Sequence, residues 1–183
     1  MDAMPSNLRP HVSYPGPAVA IEAEATRAGD RLQLTYRVSG DVAGVRWPAP
    51  AEPGRADELW RHTCFEAFVA TADSEAYCEI NLSPSGQWAT YRFTGYRLGM
   101  EAASAEAGPF SPQVEAAALV LATELDLGGV ADLAGKPWRL GLTAVIEAAN
   151  GRVSYWSVGH PTGKPDFHHR DCLALELPAP QGS

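Results

Sequence analysis

The chain has 183 residues with 14 Lys+Arg against 22 Asp+Glu, a formal net charge of −8 at pH 7, and 45% hydrophobic residues. That length fits one domain whose core needs no disulfide or metal staple, and the apolar fraction is that of a globular protein rather than a disordered tail. An acidic surface repels phosphate polymers and anionic lipid, so neither nucleic acid nor a membrane is an expected partner.

Residues 1–17 form a Pro-rich lead without the apolar core of a secretory signal. The longest apolar run, Ala116 to Ala122, is far shorter than a membrane helix. Cys64, Cys78 and Cys172 are an odd number and lie in apolar runs without metal-finger spacing, which suggests buried thiols in a reducing compartment. A soluble, cytoplasmic protein is the expectation, with a single domain over 1–183: a β-sandwich over 18–177 and a short tail at 178–183.

In chain order, Ala18 to Ala25 and Leu32 to Val38 alternate apolar and polar residues around Gly29-Asp30, predicting a β-hairpin. A third short strand is expected over Val42 to Trp47, followed by a proline-rich loop from Pro48 to Glu58. His62 to Ala70, Glu75 to Leu82 and Gln87 to Phe93 are rich in aromatic and β-branched residues and read as a meander, turning at Ser83-Pro84-Ser85-Gly86. Gly95 to Pro112 is a polar connector. Val114 to Leu127 has helix-forming alanines and leucines, but Leu119, Leu121, Thr123 and Leu125 alternate as in a strand, and strand is the favoured reading. Trp138 to Glu147 and Val153 to Val158 flank an Asn150-Gly151 turn, a strong hairpin signal, and a last strand is expected over Cys172 to Leu177. About nine or more short strands with regular turns, and no convincing long helix, predict an all-β sandwich or barrel of mostly antiparallel strands.

Alternation in Tyr77 to Leu82 sends Cys78, Ile80 and Leu82 to one face and Tyr77, Glu79 and Asn81 to the other. Glu66 on the preceding strand can share that polar face. Trp88, Thr90 and Arg92 form one face of the next strand, and Trp156 and Arg139 are expected to extend the same platform on the later hairpin. Indoles stack on the C–H faces of sugar rings while carboxylate, amide and guanidinium groups bond to hydroxyls, so this composition suits a carbohydrate or other polyhydroxylated ligand. A surface ladder of cross-strand ion pairs remains open as the alternative for Glu66, Glu79 and Arg92.

The loop from Gly159 to Asp171 holds three of the five histidines. Its prolines suggest a rigid segment presenting His160, Lys164, Asp166, His168 and Arg170. A metal site there would need His160, Asp166, His168, His169 and Asp171 to converge, which adjacent histidines in extended chain oppose, and none is expected. Haem would need axial ligands such as Met100 and a loop histidine. Ser83 lacks a nucleophile-elbow context, and a glycosidase pair from Glu66 and Glu79 depends on a separation the sequence does not give.

The strings Leu59-Trp60-Arg61-His62-Thr63-Cys64-Phe65-Glu66, Tyr77-Cys78-Glu79-Ile80-Asn81-Leu82-Ser83-Pro84-Ser85-Gly86-Gln87-Trp88 and Tyr96-Arg97-Leu98-Gly99-Met100 resemble the bacterial DOMON-like proteins. Val145-Ile146-Glu147, Tyr155-Trp156, His160-Pro161 and Lys164-Pro165-Asp166-Phe167-His168-His169 follow in the same order. That superfamily also contains the family 9 carbohydrate-binding modules. The resemblance implies a single β-sandwich whose relatives bind sugars or haem without chemistry of their own. It also implies that Glu66, Tyr77, Glu79, Asn81 and Trp88 lie on the ligand-facing sheet, with Lys164, Asp166, His168 and His169 as a signature of this branch.

The leading expectation is therefore a non-catalytic binding module without cofactor, holding a carbohydrate or similar ligand with Glu66, Tyr77, Glu79, Asn81, Trp88, Arg92, Trp156, His160, Lys164, Asp166, His168 and His169. The alternatives are a haem b site using Met100 with a loop histidine, and an enzyme with Glu66, Glu79 and His168 as acid/base groups. No partner protein is indicated.

Overall fold

The computed structural model describes residues 5–115 and 117–180. Of the segments read from the sequence, the first four residues of the lead, Ala116 and the last three residues of the tail lie outside these.

The lead contains a strand that the sequence did not announce, β1 (Ser6–Pro10), in which Leu8 alone is buried. One apolar residue between prolines has no alternation to read; the strand exists because its edges find partners. The expected hairpin is β2 (Val19–Ala28) and β3 (Arg31–Gly40), closed by Gly29 at φ 64°, a left-handed conformation that favours glycine. The strand expected over Val42 to Trp47 is instead a 3-10 turn over Val42–Gly44, where the Asp41 carboxylate accepts from the Gly44 N–H and Trp47 Nε1 donates to the Val42 carbonyl. Within the proline-rich loop, β4 (Gly54–Arg55) runs parallel to the third meander strand, and a second 3-10 turn spans Leu59–Arg61.

The meander is β5 (Cys64–Ala70), β6 (Tyr77–Leu82) and β7 (Gln87–Phe93). After the short β8 (Glu101–Ala102) come β9 (Gln113–Glu115) and β10 (Ala118–Asp126), so the ambiguous stretch is strand. Partnership with β3 along its whole length overrides the helical propensity of its alanines. The second hairpin is β11 (Trp138–Glu147) and β12 (Val153–Ser157). A 3-10 turn at Arg170–Cys172 replaces the start of the expected last strand, leaving β13 (Leu175–Leu177).

These strands form one continuous curled sheet in the order β4-β7-β6-β5-β11-β12-β1-β2-β3-β10-β9, with β13 on β11 and β8 on β7. β1 is the seam: Leu8 pairs with Ile21 of β2, while Arg9 and Pro10 pair with Ser157 and Trp156 of β12. Splitting its partners folds the sheet over itself into two layers. Ile21, Leu34 and Tyr36 from one layer meet Phe65, Ile80 and Leu142 from the other in a single apolar core. Each such side chain contributes about 1.5–3 kcal/mol by leaving water. The Tyr36 hydroxyl donates to the Glu66 carbonyl across the layers, and Arg27 lies 3.5 Å over the buried Trp138 ring. All three cysteines are buried free thiols. Among the described residues no helix is long and apolar enough to cross a membrane.

Candidate functional site

Register decides which side chains leave the core on the meander. The pairs Phe65↔Leu82, Ala67↔Ile80 and Val69↔Cys78 face inward, so Glu66, Phe68, Tyr77, Glu79 and Asn81 share the outer face. There they continue into Tyr91 and Phe93 of β7, Thr143 and Val145 of β11, and Tyr155 of β12. The expected grouping of Glu66, Tyr77, Glu79 and Asn81 on one face is what the register produces.

Trp88, Arg92 and Trp156 are not on that face. Leu82 pairs with Trp88 and Cys78 with Arg92, which puts both on the inner side; Trp88 packs against the core, and Arg92 is held by Asp132 at 2.5 Å and Glu101 at 3.2 Å. Trp156 pairs with Ala144, is buried in the core and donates to Ser154 Oγ. Alternation within one strand fixes relative faces, but parity between strands depends on the turn, and a one-residue difference in register reverses every side chain.

Three connections cover the outer face and convert it into a pocket of about 420 Å³, within the roughly 300–1,000 Å³ of small-ligand sites. Glu66, Phe68, Glu79, Phe93, Val145 and Tyr155 line it from the strands; Trp60 comes from the connection before β5, Arg97 and Met100 from the one after β7, and Pro165 to His168 from the late loop. The late loop seats closely because β11 carries Gly141 at the crossing, where a Cβ would meet the Cys172 carbonyl oxygen at 2.7 Å. Arg97 sits at φ 55°, an uncommon conformation for a residue with a Cβ. Its N–H donates to the Tyr77 hydroxyl, and its guanidinium reaches Asp166 at 2.8 Å. Asp166 also accepts from the Tyr96 hydroxyl and from the His168 N–H.

Of the loop residues predicted for the site, only Asp166 and His168 line the pocket. His160 instead bonds to the Arg9 carbonyl and packs edge-on against His11, whose Nε2 meets the Gly163 carbonyl oxygen. These contacts pin the loop to β1. His169 turns to Asp171, and Lys164 is exposed away from the pocket. Asn81 is fully buried behind Glu79, where its amide donates to Oε1 at 2.8 Å. Tyr77 stacks on Phe93 and bonds to His168 Nδ1 at 2.7 Å.

The electrostatics centre on two carboxyls. Burial, and then the nearby Glu79 charge, push the Glu66 carboxyl well above the usual range; Oε2 accepts from Thr143 at 3.4 Å, and the buried Oε1 has no hydrogen-bond partner. Burial also raises Glu79, against the Asn81 hydrogen bond and the Arg97 charge. Burial and the Arg97 charge depress His168 to about 4, so it is neutral near pH 7. Burial alone would raise Asp166, but the hydrogen bonds from Tyr96 and Arg97 outweigh it and hold the carboxylate below its ordinary value.

Sequence reasoning did not single out Trp60, Phe68, Phe93, Arg97, Tyr155 or Phe167 as site residues. Trp60 carried a usable signal, an indole on a short turn between a proline-rich loop and a strand. Met100 and His168, the haem pair suggested by the sequence, both line the pocket. The fit to iron is poor: His168 Nδ1 is engaged by Tyr77, and Nε2 faces Glu79 Oε2 at 3.7 Å.

Three solved structures share this architecture. A candidate carbohydrate-binding protein from Bacteroides uniformis ATCC 8492 is similar over 92% of this chain and 82% of its own, with a TM-score of 0.62 and 18% identity. A family 9 carbohydrate-binding module from Caldicellulosiruptor kristjanssonii in complex with cellotriose covers 88% of this chain and 75% of its own (TM-score 0.54, 10% identity). The fold is that of the family 9 carbohydrate-binding modules. A module of this family from the same organism in complex with glucose covers 96% of this chain and 86% of its own, with a TM-score of 0.51 and 10% identity. No family model matches the chain, and no curated protein does. At these identities the likeness to family 9 modules establishes the β-sandwich and nothing of the ligand.

Proposed function

We propose that the protein is a non-catalytic carbohydrate-binding module whose ligand enters the outer-face pocket. The observation that carries this reading is the pocket's composition: the half-buried Trp60 indole and the Phe93 and Tyr155 rings stand around Glu66, Glu79 and Arg97 in one recess of sugar size. Aromatic faces cover the apolar side of a pyranose while the carboxyl and guanidinium groups accept from and donate to its hydroxyls. The family 9 fold, seen in complexes with cellotriose and glucose, supports the same reading. Kinship with the DOMON-like proteins and a cytoplasmic setting belong to this proposal as well.

Isothermal titration against glucose, cellotriose and a panel of other mono- and oligosaccharides tests it. Saturable binding that falls at least tenfold in Trp60→Ala, with the fold intact by circular dichroism, is expected. No binding across the panel, or binding indifferent to Trp60→Ala, overturns it. A Soret band on mixing with haemin, lost in Met100→Ala and His168→Ala, would favour haem instead; sugar hydrolysis lost in Glu79→Gln would favour an enzyme.

A further inference from the structure

The pocket holds more carboxyls than cations. Among the described residues that line it Arg97 is the one cation, and Asp166 pairs with it at 2.8 Å and also accepts from Tyr96. His168 contributes no positive charge, because its ring is buried among Phe68, Phe93 and Tyr77 and the Arg97 charge opposes its protonation. What remains is Glu66 and Glu79, on adjacent strands of one face, both largely buried. The neutral groups facing them are Thr143 from β11, Asn81 from β6 and the Cys64 thiol from β5, whose thiolate burial disfavours. Glu66 is 3% exposed, and its Oε1 has no donor although the residue lines the pocket. That orphaned oxygen is a place where a ligand's donor fits.

A neutral hydroxyl would supply a donor but no charge. An ammonium supplies three donors and a positive charge that lets both carboxyls ionise, in a pocket also lined by the Trp60, Phe93 and Tyr155 rings. We infer that the site selects a saccharide carrying a primary amine, with the ammonium seated between Glu66 and Glu79. This rests on the saccharide reading above and narrows its ligand class. The net charge of −8 favours approach of such a cation. Ammonium binding stabilises the ionised carboxyl pair, so a proton held on the pair in the free protein passes to solvent as the ligand binds, and affinity rises with pH while the amine stays charged.

Calorimetric titration of the full chain with glucosamine, glucose and N-acetylglucosamine, at about pH 6 to 7 and in two buffers of different ionisation enthalpy, tests the inference. Glucosamine is expected to bind at least tenfold more tightly than the other two, with proton release that the neutral sugars lack. Glu66→Gln should bring the glucosamine-to-glucose ratio towards one, and Asp166→Asn, which leaves Arg97 unbalanced, should lower it. Equal or weaker binding of glucosamine beside measurable glucose binding overturns the amine and leaves the saccharide reading standing. A tight glucosamine complex without proton release, unchanged in Glu66→Gln, removes the carboxyl pair from the recognition. Failure of all three sugars, and of the wider panel, overturns both.

Discussion

The Tyr77 phenol oxygen stands 2.7 Å from Nδ1 of His168, and the same oxygen accepts the Arg97 backbone N–H at 3.1 Å. The phenol's own proton is available to Nδ1, an arrangement that puts the neutral imidazole's hydrogen on Nε2, the nitrogen 3.7 Å from Glu79 Oε2. One tyrosine therefore holds the orientation of the pocket's histidine.

His168 should remain neutral across mildly acidic pH. Its value of about 4 lies below the ordinary 6.5, so between those values the unfolded chain binds a proton that the folded one does not. Stability from this group is full above pH 6.5 and declines as the pH falls towards 4, by up to about 1.4 kcal/mol per pH unit. Nitrogen-15 correlation spectra should show the Nε2–H tautomer at pH 5.5, and Tyr77→Phe should lose that signature together with about 1–2 kcal/mol of stability.

Glu66 has the opposite sign. Its carboxyl is raised, so above the unfolded carboxyl's usual value near 4.5 the native state holds a proton the unfolded state has released, and stability falls as the pH rises. Glu66→Gln removes that liability. Its melting temperature should exceed the wild type's at pH 7 to 8, by about 2–4 °C for each kcal/mol recovered, and the difference should vanish near pH 4. A lower melting temperature at pH 8 would contradict the assignment.

The three tryptophans of the argument should separate cleanly. Trp60→Ala is expected to abolish ligand binding with a stability change below about 1.5 kcal/mol, because its half-buried ring leaves little cavity. Trp156→Ala should cost about 3–5 kcal/mol, since it empties a buried core site and frees the Ser154 hydroxyl. Trp88→Ala, packed at the inner margin of β7, should fall between these values in urea unfolding.

Gly141→Ala tests how the late loop is seated. The new methyl would approach the Cys172 carbonyl oxygen at 2.7 Å, so the turn over Arg170–Cys172 must lift. Amides of 166–172 should exchange faster, and binding should weaken more than global stability does.

The strands themselves could be read from local pattern. Tyr77 to Leu82 alternates apolar and polar residues, which puts Tyr77, Glu79 and Asn81 on one face, and Asn150-Gly151 turns a hairpin. β1 could not be read this way, because Leu8 alone is apolar there and its order comes from β2 and β12.

Side-chain alternation has period two and is written in the chain itself, so the all-β class and the faces within each strand follow from local sequence. The face that Trp88, Arg92 and Trp156 occupy was decided by register across turns, where a single residue of offset exchanges core for solvent. The pocket depends on tertiary structure throughout. Trp60, Arg97 and His168 come from three connections far apart in the chain, and only their packing onto the outer face of neighbouring strands brings them together with Glu66 and Glu79.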